Sequence, residues 1–292
     1  ILLAPGFSEY EQALRMCGCE IRWLHLKDEN GFSLESAREE LYAMLCDGSG
    51  DASKIDSVPT LSSKHENVWE KVLILGNPNN PTGRAISATE LERLAEVCRE
   101  THTWLMLDDT RRECSFVGNL LNGVGYHVIL LNALTKICSM AGLRLGYGII
   151  PNAGLRERLE KFRQPWSVSA PAQAGGVAAF AVLADHSEGN LLEWTVKSLQ
   201  TERPRLAEKL EELGFIVYPS QTNYLLFRSS DEDSRDYKQG CLEHGILIRA
   251  CENFEGLNRH YYRVAVRNRG ENESLINILK EVQSEEKHNV NL

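Results

Sequence analysis

The sequence is short of the features that mark several large classes of protein. Its eight Cys include no CxxC pair and follow no regular spacing, which argues against a zinc site or a disulfide framework, and no metal is expected. Free thiols in a chain of 292 residues suit a reducing cytoplasm. Positive charge is also scarce: 32 Lys and Arg against 41 Asp and Glu leave a formal charge of -9, the wrong sign for a nucleic-acid-binding face. The longest uncharged apolar-rich run, "APAQAGGVAAFAVLA", is too short and too rich in small residues to span a bilayer, so no membrane segment is expected. No internal repeat or low-complexity segment stands out. No basic region precedes "ILLAP", which therefore reads as a strand rather than a signal peptide, and a buried strand at Ile1 suggests that an upstream segment is missing.

What remains is a chain with 42% apolar residues, enough for a large core and for two domains. Short apolar runs alternate with helical patterns: "ILLAP", "EIRWLHL", "KVLILG", "WLMLDD", "HVILLNAL" and "RLGYGII" read as strands. Ser8 with Glu11, and Ser87 with Glu90, have the spacing of a capping box at a helix start, and Leu91, Leu94 and Cys98 form one apolar face. This alternation predicts an α/β fold with a mainly parallel sheet flanked by helices. From about Gln164 the pattern changes to long helices, Pro204 kinking or restarting the second, and then to a smaller α+β unit ending in the helix "ESLINILKEVQ" and a frayed tail. The expected division is 1–163 for the large domain, 164–203 for a helical connection and 204–292 for the small domain.

The chemistry gathers where the strands should end, which in such sheets is where ligands sit. "LILGNPNNPTGRAIS" closes an apolar run with two Asn-Pro steps and a Gly before a helix. Asn, Pro and Gly make turns for purely conformational reasons, so the plain reading is a loop. The sharper reading is a rigid platform that points one Asn at a ligand. Asp108 and Asp109 follow "WLML", Thr135 and Lys136 follow "HVILLNAL", and Arg144 lies in "GLRLGYG". Singly, each is an ordinary turn or surface residue. Behind successive strand ends they form a set.

"NPNNPTG", "LDD", "ALTK" and "GLRLGYG" resemble, in order and spacing, the fold-type I pyridoxal-phosphate enzymes of the class I/II aminotransferase superfamily. "APGFSEYEQAL", "QPWSVSAPAQ", "TNYLLF", "GILIRACENFEGL" and "YYRVAVR" are most similar to the branch holding the cobalamin-pathway threonine-phosphate decarboxylases and the histidinol-phosphate aminotransferases. The resemblance implies pyridoxal 5'-phosphate as cofactor. Lys136 would be the amine that joins its aldehyde and then moves protons, with Thr135 beside it. Asp108 would pair with the ring nitrogen. Asn80 would meet the ring hydroxyl, Phe7 would stack on the ring, and Arg144 would bind the phosphate as a charged fork. Arg263 would clamp the substrate carboxylate and Arg249 would read a substrate phosphate, while Arg267 nearby would be structural.

The implied partner is a phosphorylated amino acid or amine in a homodimeric enzyme. The resemblance favours decarboxylation, with transamination of histidinol phosphate or a similar phosphorylated amine as the alternative, since the same lysine and arginines serve both. Three departures keep a catalytically silent relative open as well: the family's Gly-rich phosphate segment and N-terminal arm are not in this sequence, Ala133 stands where Ser or Thr is common, and Arg111 stands where relatives have an aromatic residue.

Overall fold

The computed structural model describes residues 1–47, 71–109, 127–185, 187 and 189–289. Strands β1 (Leu2–Ala4), β2 (Trp23–His25), β3 (Lys71–Asn77), β4 (Thr103–Asp109), β5 (Val128–Ala133) and β6 (Gly146–Ile149) form one sheet in the order β2-β1-β3-β4-β5-β6. Every neighbouring pair is parallel except β5 with β6. β3 is apolar without alternation and buried from Leu73 onward, as a parallel strand covered on both faces must be. The chain steps from β1 outward to β2, then returns to the far side of β1 and continues through β3, β4 and β5. The strand order reverses between β1 and β3, and at such a switch point folds of this class offer a ligand the crevice outside the carboxyl edge of the sheet.

Helices α1 (Ser8–Met16), α2 (Arg38–Cys46) and α3 (Ala88–Glu100) accompany the first strands. α3 starts as its sequence implies: the Ser87 side chain accepts from Glu90 N at 3.2 Å, and Leu91, Leu94 and Cys98 are buried. The Glu90 carboxylate, however, does not reach back to the cap. It is buried and accepts a two-pronged donation from Arg38 at 2.8 and 2.6 Å, pinning α2 to α3. α1 departs further from expectation, because its cap position is Phe7, with no side-chain cap bond, and Glu11 pairs one turn ahead with Arg15 at 2.7 Å.

After β5 come α4 (Leu134–Ile137), α5 (Ala153–Phe162), α6 (Ala170–Leu183) and α7 (Leu191–Glu212). α7 is one continuous helix with Pro204 inside it, neither stopping nor restarting there. A second sheet contains β7 (Ile216–Val217), β8 (Tyr224–Arg228), β9 (Arg249–Ala250) and β10 (Tyr261–Ala265), all antiparallel, in the order β7-β8-β10-β9. α8 (Tyr237–Glu243) and α9 (Arg269–Asn289) complete that unit, α9 running through most of the tail expected to fray.

The two-residue pleat of the second sheet decides what faces what. Leu225, Phe227, Tyr262 and Val264 point to the helices and bury against Leu206, Leu210, Tyr237 and Leu279. Leu226 and Tyr261 point the other way, into the core of the large sheet beside Leu3, Phe32 and Leu75. A polar joint closes the same contact: Tyr261 and Tyr218 both donate to Asp28 Oδ2, at 3.0 and 3.3 Å. Among the described residues no helix is long and apolar enough to cross a membrane.

Candidate active site

The Asn-Pro turn after β3 is built from inside. Asn77 Oδ1 accepts from Ile86 N at 3.0 Å, and buried Asn79 donates to Pro5 O at 2.9 Å and to Thr82 Oγ1 at 3.1 Å. Its backbone closes the loop, N to Arg84 O and O from Gly83 N, both 2.7 Å. Gly83 has φ +73°, and a Cβ there would fall on the Ser220 side chain, so only glycine lets the turn meet the small sheet. Gln221 completes the seam by donating N to Gly83 O at 2.8 Å and accepting Ala85 N at 3.0 Å. With two asparagines consumed by the turn, half-buried Asn80 is the one turned toward the crevice, and its Oδ1 accepts from Arg263 Nη1.

Asp108 stands near the end of β4, opposite Gly76 of β3. Its Oδ2 accepts from the Tyr10 hydroxyl at 2.6 Å, a contact between residues 98 apart in sequence. Burial, reinforced by the facing carboxylate, pushes the Tyr10 phenol well above its ordinary range, so it remains a protonated donor. Phe7 meets Tyr10 edge-on, with ring centres 5.3 Å apart. Phe7 is the extended cap residue and Tyr10 lies in the first turn of α1, three positions on, so the two rings meet at the start of the helix. Tyr10 was not singled out from the sequence; that spacing from Phe7 is the signal that could have found it.

One strand further on, β5 ends at Ala133 and the single turn of α4 carries buried Thr135 and exposed Lys136. Arg144 follows in a left-handed conformation, φ +54°, exposed, with Nη1 donating to Ala141 O at 3.0 Å. Ala133, as the cap of α4, supplies no side-chain hydrogen bond. Arg111 lies outside the described residues.

Arg263 and Arg249 are directly paired across β10 and β9, so their side chains share a face of the sheet, the one on which Tyr261 and Leu226 meet the large unit. The Arg263 guanidinium lies over the Tyr224 ring, 4.9 Å from its centre, and Tyr224 donates to Asn79 O at 3.0 Å. Arg249 donates to Asn253 Oδ1 at 2.8 Å and lies 5.6 Å from the centre of the Phe254 ring. Arg267 is exposed and pairs with Glu271 at 2.7 Å, a surface contact.

A six-stranded, mainly parallel sheet thus meets a smaller antiparallel unit at its carboxyl edge, with Asn80, Asp108 and Lys136 following the ends of successive strands and Arg263 reaching Asn80. Residues 1–279 match the family model for aminotransferase class I and II, and the chain belongs to that family. It is 32% identical over 288 residues to the threonine-phosphate decarboxylase of Salmonella typhimurium, an alignment spanning 97% of this chain and 70% of the relative. It is 30% identical over 216 residues to the histidinol-phosphate aminotransferase of Methanosphaera stadtmanae, covering 73% of this chain and 56% of the relative. Among solved structures, the histidinol-phosphate aminotransferase of Clostridium acetobutylicum superposes with a TM-score of 0.77 at 23% identity, over 97% of this chain and 77% of the other. The L-threonine-O-3-phosphate decarboxylase of Porphyromonas gingivalis gives 0.70 at 24%, over 96% and 75%.

The family comprises pyridoxal 5'-phosphate-dependent decarboxylases and aminotransferases, and this chain is an enzyme of that class. The donor set fits the cofactor: a carboxylate with one oxygen already held suits a protonated ring nitrogen, Phe7 suits a ring face, and Lys136 suits an aldehyde. The Asn80 oxygen is taken by Arg263, and among the described residues its N–H₂ has no partner, which suits donation to a ring hydroxyl.

Proposed function

We propose that the protein decarboxylates a phosphorylated amino acid of the threonine-phosphate type, a role that would place it in cobalamin biosynthesis. The observation that carries this reading is the cross-strand pair Arg249 and Arg263, whose side chains share one sheet face, Arg263 reaching Asn80 and Arg249 standing beside it on Asn253. A substrate with a carboxylate and a phosphate has two anionic ends, and two planar donors a strand apart can hold both. Arg263, anchored between Tyr224 and Asn80, takes the carboxylate; Arg249, steadied by Asn253, takes the phosphate.

When bound, the cofactor supplies an aldehyde for the substrate amine and a ring that accepts electrons from the substrate Cα. Lys136 Nζ would hold the cofactor through its aldehyde and would move a proton at the substrate Cα. Asp108 would keep a proton on the ring nitrogen. Asn80 would donate to the ring hydroxyl, Phe7 would cover a ring face, Thr135 would support the neighbouring turn and Arg144 would hold the cofactor phosphate. The reading includes a homodimer, supported by the apolar side chains crowded on the surface of β6, α5 and α6.

The test offers threonine phosphate and follows carbon dioxide and keto product together. An arginine contact that the bound substrate desolvates is worth roughly 2–5 kcal/mol when truncated, and Arg249 is exposed until a substrate covers it. Arg249→Ala is expected to weaken phosphorylated substrates far more than dephosphorylated analogues. Arg263→Ala is expected to weaken every amino acid while sparing histidinol phosphate, which has no carboxylate. Equal losses for phosphorylated and plain substrates in the Arg249 variant would remove its phosphate role, and keto product without carbon dioxide would make the protein an aminotransferase of the histidinol-phosphate type.

A further inference from the structure

Tyr10 poses a question that the cofactor chemistry leaves unanswered. Its hydroxyl spans from the first turn of α1 to the carboxyl end of β4, and at 2.6 Å on Asp108 Oδ2 it makes a short side-chain contact across the crevice. Its placement is not accidental to α1 alone. β1, which leads into α1, pairs with β3, and Asn79 of the turn after β3 holds Pro5 O at 2.9 Å, so the segment carrying Tyr10 is tied to the platform carrying Asn80. Phe7, packed edge-on against the phenol, restricts the ring from the other side. A Cβ at Gly76, the residue opposite Asp108, would stand 3.5 Å from the phenol oxygen, so the hydroxyl lies close to β3 as well as to β4.

We propose that Tyr10 is a positioning residue, which fixes Asp108 Oδ2 so that the remaining oxygen, Oδ1, is aimed at the ring nitrogen of the cofactor. The proposal rests on the reading of Asp108 given above. Its physical content lies in the choice of a phenol. A carboxylate pairs with a protonated ring nitrogen through one oxygen, and a carboxylate free to rotate about its terminal bond would average that contact away. A Lys or Arg at position 10 would hold the rotor too, but would cancel the charge that keeps the ring proton in place. A neutral donor holds the rotor and leaves the charge. Burial keeps the phenol protonated, so it remains neutral over the working pH range.

A purely structural tie between α1 and β4 would stabilise the fold without touching the cofactor's proton, and this separates the two roles. The experiment loads wild type, Tyr10→Phe, Asp108→Asn and the double variant with pyridoxal phosphate labelled with nitrogen-15 in the ring, and follows the ring-nitrogen resonance against pH, with melting curves recorded alongside. In Tyr10→Phe the ring nitrogen is expected to lose its proton about one pH unit lower, a tenfold loss of proton affinity. Adding Tyr10→Phe to Asp108→Asn is expected to change nothing further. An unmoved midpoint in Tyr10→Phe, or an equal shift with and without Asp108, overturns the proposal.

If the Phe variant does not fold, Tyr10→His decides alone. An imidazole beside Asp108 titrates near pH 6–7 and is expected to add an inflection to the ring-nitrogen curve. A His curve superimposed on wild type overturns the proposal. A wild type that binds the cofactor and whose titration moves in Asp108→Asn but not in Tyr10→Phe removes Tyr10 only, whereas a wild type with no bound cofactor, or one unmoved by Asp108→Asn, removes the reading of Asp108 as well.

Discussion

In the small sheet, Leu226 and Phe227 are fully buried and Val264 nearly so, whereas along β6, α5 and α6 apolar side chains stand in solvent, Phe162 at 86% and Trp166 just beyond at 97% exposure. Hydropathy does not separate the two regions. α6 is apolar almost all round, yet only Ala172, Gly176, Ala179 and Leu183 are buried, one stripe of a helix whose composition suits cover on more than one side. The difference divides the site. Asn80, Asp108, Tyr10 and Arg263 lie where the chain's own contacts hold them, while exposed Lys136 and Arg144 lie toward the open side. Four of these six residues are thus held by hydrogen bonds or packing across the fold, while Lys136 and Arg144 are exposed beside the apolar layer, and that exposure is the physical case for the homodimer proposed above.

The largest effect expected is on the open side. Lys136→Ala should lower turnover by about 10³-fold or more while leaving the melting temperature where it was, because an exposed lysine stabilises little but no other amine can take its place. Initial rates, circular dichroism, and mass spectrometry after borohydride reduction check this, and substantial turnover in the variant would take Lys136 out of the mechanism. Next comes packing. Phe227→Ala, which empties a site in the small core between Phe215 and Tyr262, should cost about 3–5 kcal/mol in urea unfolding.

A third expectation concerns alkali. Burial raises the Cys241 and Cys251 thiols to about 11 and the Tyr237 and Tyr262 phenols to about 12. These groups hold their protons more tightly folded than unfolded, so their contribution is complete below the unfolded values and is lost as pH rises through the folded ones. Melting temperature should therefore fall between about pH 9 and 12. The buried thiols should also resist a thiol reagent at pH 8 while exposed Cys17 and Cys19 react, and equal labelling would contradict the burial. The smallest effect belongs to the open layer. Phe162→Ala should change unfolding of the monomer by less than about 0.5 kcal/mol, yet weaken self-association in sedimentation. A chain that sediments as a monomer at every concentration would remove the dimer from the reading.

Much of this was legible in the sequence, and the parts that were not have identifiable causes. The strand-helix alternation, the Ser87 cap and the apolar face of α3 are local, set by residues within a few positions of one another, and they appear in the structure. The Ser8 cap failed because Ser87 and Ser8 share a spacing but not a backbone: the extended residue before α1 is Phe7, which leaves Ser8 already helical. Tyr10 was hidden for a different reason. Its partner is 98 residues away, and nothing in "SEYEQAL" distinguishes that tyrosine from an ordinary helix residue until β1 and β4 are placed in one sheet. Likewise the three asparagines of "NPNNPTG" look alike in sequence, and their division of labour appears only once Pro5, Ile86 and Arg263 are in position.

The seam at Gly83 governs how the molecule can move. Ser220 fills the space that a side chain at position 83 would need, and Gln221 grips the turn on both sides of it, so turn and loop interlock like tongue and groove. A swing of the small sheet that left the turn behind would have to break both Gln221 hydrogen bonds and the one from Tyr224 to Asn79. The turn is held as firmly on its other side, by Pro5 and Ile86, so the seam ties the small sheet to the large one and fixes the distance between the strand that bears Arg263 and Asn80.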